Sequence, residues 1–181
     1  MNAQLSIIIP TLDAAGTLSS CLGRLAGSQE IIVVDGGSSD DSRRIAQQHG
    51  ARLLTSPRGR GVQLRAGAEV AAGDWLLFLH ADTLLGCGWR EAIQQHMTNE
   101  PHAAGHFRFR LQSDAWQARL IEAGVRLRAW LLRLPYGDQA LLIRREQYER
   151  IGGYKPLPLF EDVDLTRRLG RRRLRLLQAD A

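Results

Sequence analysis

Residues 74–83, DWLLFLHADT, constrain the fold more than any other stretch of the chain. Trp75 to Leu79 is a short, unbroken apolar run that follows a Gly-Asp turn and ends abruptly in polar residues, the pattern of a strand buried on both faces. Side chains alternate along an extended chain, so His80 and Asp82 are expected to project together at its carboxyl end while Ala81 points away. In open α/β sheets ligands gather at the carboxyl ends of strands. That makes the His-Ala-Asp triplet a candidate site for a metal and for the phosphates a metal holds. A solvated turn after a core strand is the competing reading.

Three further segments upstream have related character. Residues 4–10, QLSIIIP, read as a first buried strand stopped by its proline, and the leucines at 18, 22 and 25 then mark a helix over 14–26, with Thr17 or a residue just before it as cap. Residues 30–34, EIIVV, form a second strand that ends in Asp35-Gly36-Gly37-Ser38-Ser39-Asp40. The two glycines permit a tight turn beside a ligand, and Ser38, Ser39 or Asp40 can cap the helix that runs to about His49. A weaker third strand, 51–55, leads through Pro57-Arg58-Gly59-Arg60-Gly61 into a helix over 62–72. Strands alternating with helices imply parallel strands joined by right-handed crossovers, hence an α/β fold with a mostly parallel, doubly wound sheet. Asp35, the 58–61 loop and Asp82 are then expected along one edge. The first turn, PTLDAAGT, contains no GxGxxG, and GRG lacks the GK[ST] ending of a Walker loop, which argues against NAD, FAD and P-loop chemistry.

The second half changes character. After a helix near 89–97, HFRFRL (106–111) alternates polar and apolar residues as an antiparallel or edge strand does. Residues 115–134 carry a long apolar stripe that includes Trp116 and Trp130, flanked by Arg119, Arg126 and Arg133. This suits a helix covering the sheet, a helix pairing with another subunit in a homo-oligomer, or peripheral contact with a membrane interface. Pro135 to Gln139 break that helix, a short strand follows at 140–143, and a helix spans 145–151. The prolines of 156–160 force an extended segment that delivers Glu161-Asp162-Val163-Asp164 to a helix over 162–169. Acids are favoured in a first helical turn; the functional alternative is that one of them is a general base facing the cleft. Residues 171–177 read as an amphipathic final strand.

At 181 residues the chain suits a single domain, 1–181. It has no apolar run of eighteen residues and its first residues lack the pattern of a secretory signal, so a cytoplasmic location is expected, with the inner membrane face as a place of peripheral contact. Cys21 and Cys87 have no metal-ligand spacing and are expected to be reduced. The formal charge is +5, and of 24 basic residues only Lys155 is a lysine. This arginine-rich balance fits phosphate-bearing partners.

Taken in order, IIIPTLD, IIVVDGGSSD, GRG, DWLLFLHADT, YGDQ with GGY, and FEDVDL resemble the family 2 glycosyltransferases, inverting enzymes of the GT-A fold. They resemble in particular a bacterial subgroup carrying LHADT in place of the usual Asp-x-Asp, and the resemblance implies a nucleotide-binding half (1–85) and an acceptor-binding half (86–181). The resemblance implies a nucleoside-diphosphate sugar donor, a UDP- or GDP-sugar, and a divalent metal, Mg²⁺ or Mn²⁺. It matches Asp13 and Asp35 to positions that contact ribose and base, with Thr11 nearby; Arg60 to a basic loop position near the nucleotide; Asp82 to the last acid of the metal motif; and Asp162 to the catalytic base. Asp138 and Glu161 are expected at the substrate. Three departures stand out. His80 replaces the first metal-motif acid, and an imidazole suits manganese or zinc better than magnesium. Gly36 replaces an acid often seen after Asp35. The chain stops at Ala181, before a segment where relatives often hold a phosphate- or metal-binding residue, so a truncated chain or a segment borrowed from a partner is expected.

The implied reaction is inverting transfer of one sugar to an acceptor hydroxyl, with no nucleic-acid partner; a lipid carrier, a small molecule and a protein are all compatible acceptors. Two rivals are a sugar-phosphate nucleotidyltransferase, which usually carries a glycine-rich loop absent from PTLDAAG, and a basic surface module for nucleic acid or anionic lipid. The latter leaves Asp35, Asp82 and Asp162 without a role, and its binding would weaken steeply with salt.

Overall fold

Four apolar segments build the parallel half of a sheet: β1 (Leu5–Thr11), β2 (Glu30–Asp35), β3 (Arg52–Thr55) and β4 (Trp75–Phe78). The computed structural model describes residues 4–108 and 140–181. The helix expected over 115–134, the Pro135–Gln139 break with Asp138, and the last residues of HFRFRL fall outside them. The parallel strands stand in the order β3-β2-β1-β4. They are joined by α1 (Ala15–Arg24), α2 (Ser42–Gln48) and α3 (Arg60–Val70). The chain direction across the sheet therefore reverses between β1 and β4, the place where an open α/β sheet leaves a crevice at its carboxyl edge.

Beyond β4 the sheet continues as β6 (Leu141–Arg144), β5 (Ala104–Arg108) and β7 (Leu174–Asp180), giving seven strands among the described residues. β6 is antiparallel to both β4 and β5, and β7 is parallel to β5. The strand expected at 106–111 starts two residues earlier and is interior, because β7 covers its free side. The final strand begins at Leu174 instead of Arg171: Gly170, at φ 87°, ends the preceding helix, and Arg171–Arg173 make a single 3₁₀ turn. β1 runs one residue past Pro10. A proline is tolerated there because β4 pairs only with Leu5 to Ile8, so the missing N–H faces the opening crevice.

Alternation along the strands divides the core into two layers. Ile7, Ile9, Val33, Leu77 and Phe107 face α1, α2 and α4 (Trp89–Asn99) on one side. Ile8, Val34, Leu76, Phe78 and Ile143 face α3, α5 (Arg145–Arg150) and α6 (Glu161–Leu169) on the other. Both faces of β4 are buried, as its unbroken apolar run requires.

Candidate functional site

The crevice at the carboxyl edge opens into a cavity of about 550 Å³. Its walls come from the end of β1 and the loop behind it (Thr11, Asp13), the start of α3 (Arg58, Arg60, Gln63) and the residues after β4 (His80, Asp82). Strand alternation does not account for the last pair, because β4 ends at Phe78 and a turn follows, with the Thr83 N–H donating to the His80 carbonyl at 3.2 Å. His80, Ala81 and Asp82 all face the cavity as a result.

The loop after β1 is sewn to the loop after β2. Asp13 sits at φ 49°, its N–H donates to Ser38 Oγ (2.9 Å), and its Oδ1 accepts from Ser39 N (2.8 Å) and Ser39 Oγ (3.1 Å). Asp40 accepts from the backbone N–H of Ala15 and of Ser42, both at 2.9 Å, so one carboxylate serves the first turns of α1 and α2. These bonds hold its carboxyl below the usual carboxylate range. Thr17 does not cap α1 as expected: the helix starts at Ala15 with no side-chain cap at Ala14, and Thr17 Oγ1 donates back to the Ala14 carbonyl.

Asp35 behaves differently from the other acids. It is fully buried, and its carboxylate accepts from Gly37 N and Ser38 N at 3.2 Å and from Ser38 Oγ at 2.5 Å, so it folds back into its own turn. It stands at the carboxyl end of β2, opposite Thr11 in the register, but is not among the residues lining the cavity. Gln63 is a member that sequence reading missed. Its Nε2 donates to the carbonyls of Thr11 and Val34, both at 2.8 Å, and so binds α3 to the ends of β1 and β2 where those strands leave the sheet. Its only signal in the sequence is its position beside Leu64, Gly67 and Ala68 on the buried face of α3.

Arg60 joins the cavity to α6. It lines the cavity, its Nε donates to Glu161, and its Nη2 lies 3.2 Å from Asp162 Oδ2. Glu161 and Asp162 are 1% and 5% exposed, so this is a buried acidic pair served by one half-exposed guanidinium. Asp162 Oδ1 accepts from Tyr154 Oη at 2.9 Å. Burial raises the Asp162 carboxyl above the ordinary carboxylate value; Arg60 pulls it down, Glu161 pushes it up, and the charge of nearby His80 lowers it. Tyr154 is fully buried, and its phenol is pushed well above 10 first by that burial and then by the Asp162 charge, so it remains a proton donor. Gly61 permits the close approach of α3 to this region: a Cβ there would collide with the Lys155 carbonyl and crowd Glu161. Before α6 the chain turns at Phe160, which holds φ 63°, and both Leu159 and Phe160 are exposed next to the cavity-lining Pro158.

His80 and Asp82 offer one imidazole and one carboxylate to the cavity, and no cluster of three or more such ligands occurs among the described residues. This donor set is too small for an all-protein metal cage. It fits a hard cation that keeps waters and completes its shell with phosphate oxygens. Cys21 is no third ligand: its buried thiol donates to the His80 carbonyl, and burial, with the Asp82 charge, pushes it up to about 12.

A mostly parallel sheet with a switch-point crevice lined by acids and arginines places the chain among the doubly wound α/β proteins. The chain belongs to glycosyl transferase family 2, whose model matches residues 6–158. It is 41% identical over 91 residues to a PGL/p-HBAD biosynthesis glycosyltransferase of Mycobacterium bovis, a match spanning 44% of this chain and 36% of that relative, so only about a third of the relative's length is represented. The architecture is that of GT-A glycosyltransferases. Glucosyl-3-phosphoglycerate synthase from Mycobacterium tuberculosis, solved with UDP, superposes with a TM-score of 0.71 at 20% identity, covering 97% of this chain and 69% of that one. The same enzyme has been solved with Mn²⁺, UDP-glucose and glycerol 3-phosphate. TarS 1–349 from S. aureus superposes with a TM-score of 0.75 at 15% identity, covering 98% and 60% respectively.

Proposed function

We propose that the chain transfers one sugar from a nucleoside-diphosphate sugar to an acceptor hydroxyl with inversion at the anomeric carbon. The observation that carries this reading is the guanidinium of Arg60, which faces the cavity of about 550 Å³ on one side and the buried Asp162 on the other. Thr11 and Asp13 receive the nucleoside at the β1 end of the crevice. Asp35 supports the same end from behind by fixing the turn that carries Ser38 and Ser39 against Asp13. Arg58 and Arg60 face the diphosphate. His80 and Asp82 would hold a divalent metal, Mg²⁺ or Mn²⁺, which when bound offsets charge on the leaving diphosphate. UDP-glucose and Mn²⁺ bound to a protein of the same architecture support this assignment.

Asp162 accepts the proton of the attacking hydroxyl. Its raised carboxyl value suits that role, because a stronger base is a better proton acceptor. Tyr154 holds the carboxylate in place through Oδ1 and leaves Oδ2, which accepts no hydrogen bond, for the acceptor once Arg60 turns to the phosphates. Asp138 and Glu161 are assigned to the substrate, Glu161 as the partner that fixes Arg60. The exposed side chains of Leu159 and Phe160, 69% and 64% accessible, give the mouth an apolar lip and favour an acceptor with an apolar portion. Peripheral contact with the inner face of a membrane would fit such an acceptor. No helix among the described residues is long and apolar enough to cross a membrane.

Calorimetric titration tests the donor half. UDP and GDP should bind in the presence of Mn²⁺ or Mg²⁺ and lose that metal dependence in Asp82→Ala. Binding that is the same with metal, with chelator and in the variant would remove the metal from the reading.

A further inference from the structure

A second concavity, of about 340 Å³, lies at the opposite edge of the sheet. Arg144 pairs with Trp75, the first residue of β4, whereas Leu141 pairs with Phe78, the last, so Arg144 stands at the end away from His80 and Asp82. His102 and Arg173 reach the same place from the residues just ahead of β5 and β7, which run parallel to each other. Glu146, Gln147 and Arg150 of α5 complete the wall. None of these residues takes part in the sugar-transfer site.

Two properties of the concavity define a ligand. The first is charge: three guanidinium groups share one carboxylate. Arg150 Nη2 lies 2.5 Å from Glu146 Oε1 and Arg144 Nη1 lies 4.0 Å from Glu146 Oε2, while Arg173 makes no ion pair with any described residue. The positive excess favours an anion, and guanidinium forks match tetrahedral oxyanions. The second is an unused acceptor. Gln147 is 6% exposed, and its Nε2 donates to the His102 carbonyl at 3.2 Å, which fixes the amide so that the other atom is oxygen. That Oε1 is buried and accepts no hydrogen bond. A buried acceptor without a donor is costly, so the matching ligand supplies a proton as well as negative oxygens.

We propose that this concavity is a second anion site that binds phosphate carrying a hydroxyl, either inorganic phosphate or a hydroxyl-bearing phosphate ester, in preference to sulfate. Hydrogen phosphate keeps a P–OH at neutral pH and donates it to Gln147 Oε1 while Arg144, Arg150 and Arg173 take its other oxygens. Sulfate has the same shape and no proton to give, and leaving a buried acceptor unmatched is how sites of this kind discriminate. The inference goes beyond the sugar-transfer reading and stands without it.

The test is calorimetric titration of inorganic phosphate and of sulfate into the whole chain at pH 7 and constant ionic strength. Phosphate binding at least about tenfold tighter than sulfate, weakened about tenfold in Arg173→Ala and unchanged in Arg60→Met, supports the assignment. Arg173 is exposed, so its loss leaves the fold intact, and Arg60→Met removes a cation from the other cavity. In Gln147→Met the preference for phosphate should vanish while sulfate still binds. Equal affinity for the two anions in the unmodified chain, or phosphate binding indifferent to Arg173→Ala, overturns it. A parallel co-sedimentation with phosphatidylglycerol vesicles separates the sources: vesicle binding lost in Arg173→Ala places the hydroxyl-bearing phosphate on a lipid headgroup, and binding of inorganic phosphate alone places it on a soluble ligand.

Discussion

Arg60 is the residue through which the two ends of the crevice influence each other. Its guanidinium pairs with both Glu161 and Asp162, and it lines the cavity assigned to the diphosphate. Burial raises the Asp162 carboxyl and Arg60 lowers it, so the arginine sets how much of the base is ionised at a given pH. Turnover by a carboxylate base falls as pH drops through its ionisation, so the acid limb of kcat/KM is expected above the ordinary aspartate value. Arg60→Met should move that limb to still higher pH; a limb that stays put or moves down would mean that the arginine does not govern the base. At this scale the sequence was legible where a polar residue interrupts an apolar run at a strand end, as His80, Asp82 and Asp13 do. It was not legible where orientation decides: Asp35 turns into its own loop because the N–H groups of Gly37 and Ser38 point back at it. Gln63 reads as a surface amide until the carbonyls of Thr11 and Val34 are seen above it.

Among the elements, α3 is held at both ends by distant parts of the chain. Its start is pinned by Arg60 to α6. Its last carbonyls are capped by Arg145, which donates to Ala68 O (3.1 Å) and Ala71 O (2.6 Å) and also to Gly73 O (2.9 Å). A guanidinium at a helix carboxyl end satisfies orphan carbonyls and meets the negative end of the helix dipole. Arg145→Met keeps the stem and removes all three donors, and urea unfolding should show a loss of about 2–4 kcal/mol, given ~1.5 kcal/mol or more for a hydrogen bond to a charged group. A loss under about 0.5 kcal/mol, the range of ordinary surface substitutions, would show that water replaces the arginine. The parallel strands were readable because strands buried on both faces announce themselves as apolar runs. The order β4-β6-β5-β7 was not, since pairing between strands remote in sequence leaves no local mark, and the interior place of β5 depends on a partner 70 or more residues downstream.

For the molecule as a whole, the parallel half builds most of the crevice, and the later part of the chain adds Pro158 to its wall and sets the buried Asp162 against Arg60. The net charge of +5 is spent unevenly, with arginines at the cavity and at the concavity on the far edge of the sheet. Nucleotide binding and proton removal are assigned to different carboxylates of one site. Asp162→Asn separates them most directly, with nucleotide binding followed by calorimetry and release of nucleoside diphosphate followed under turnover. Unchanged nucleotide affinity with turnover lowered ~10²–10⁴-fold is the predicted result; near-full turnover in the variant would contradict it.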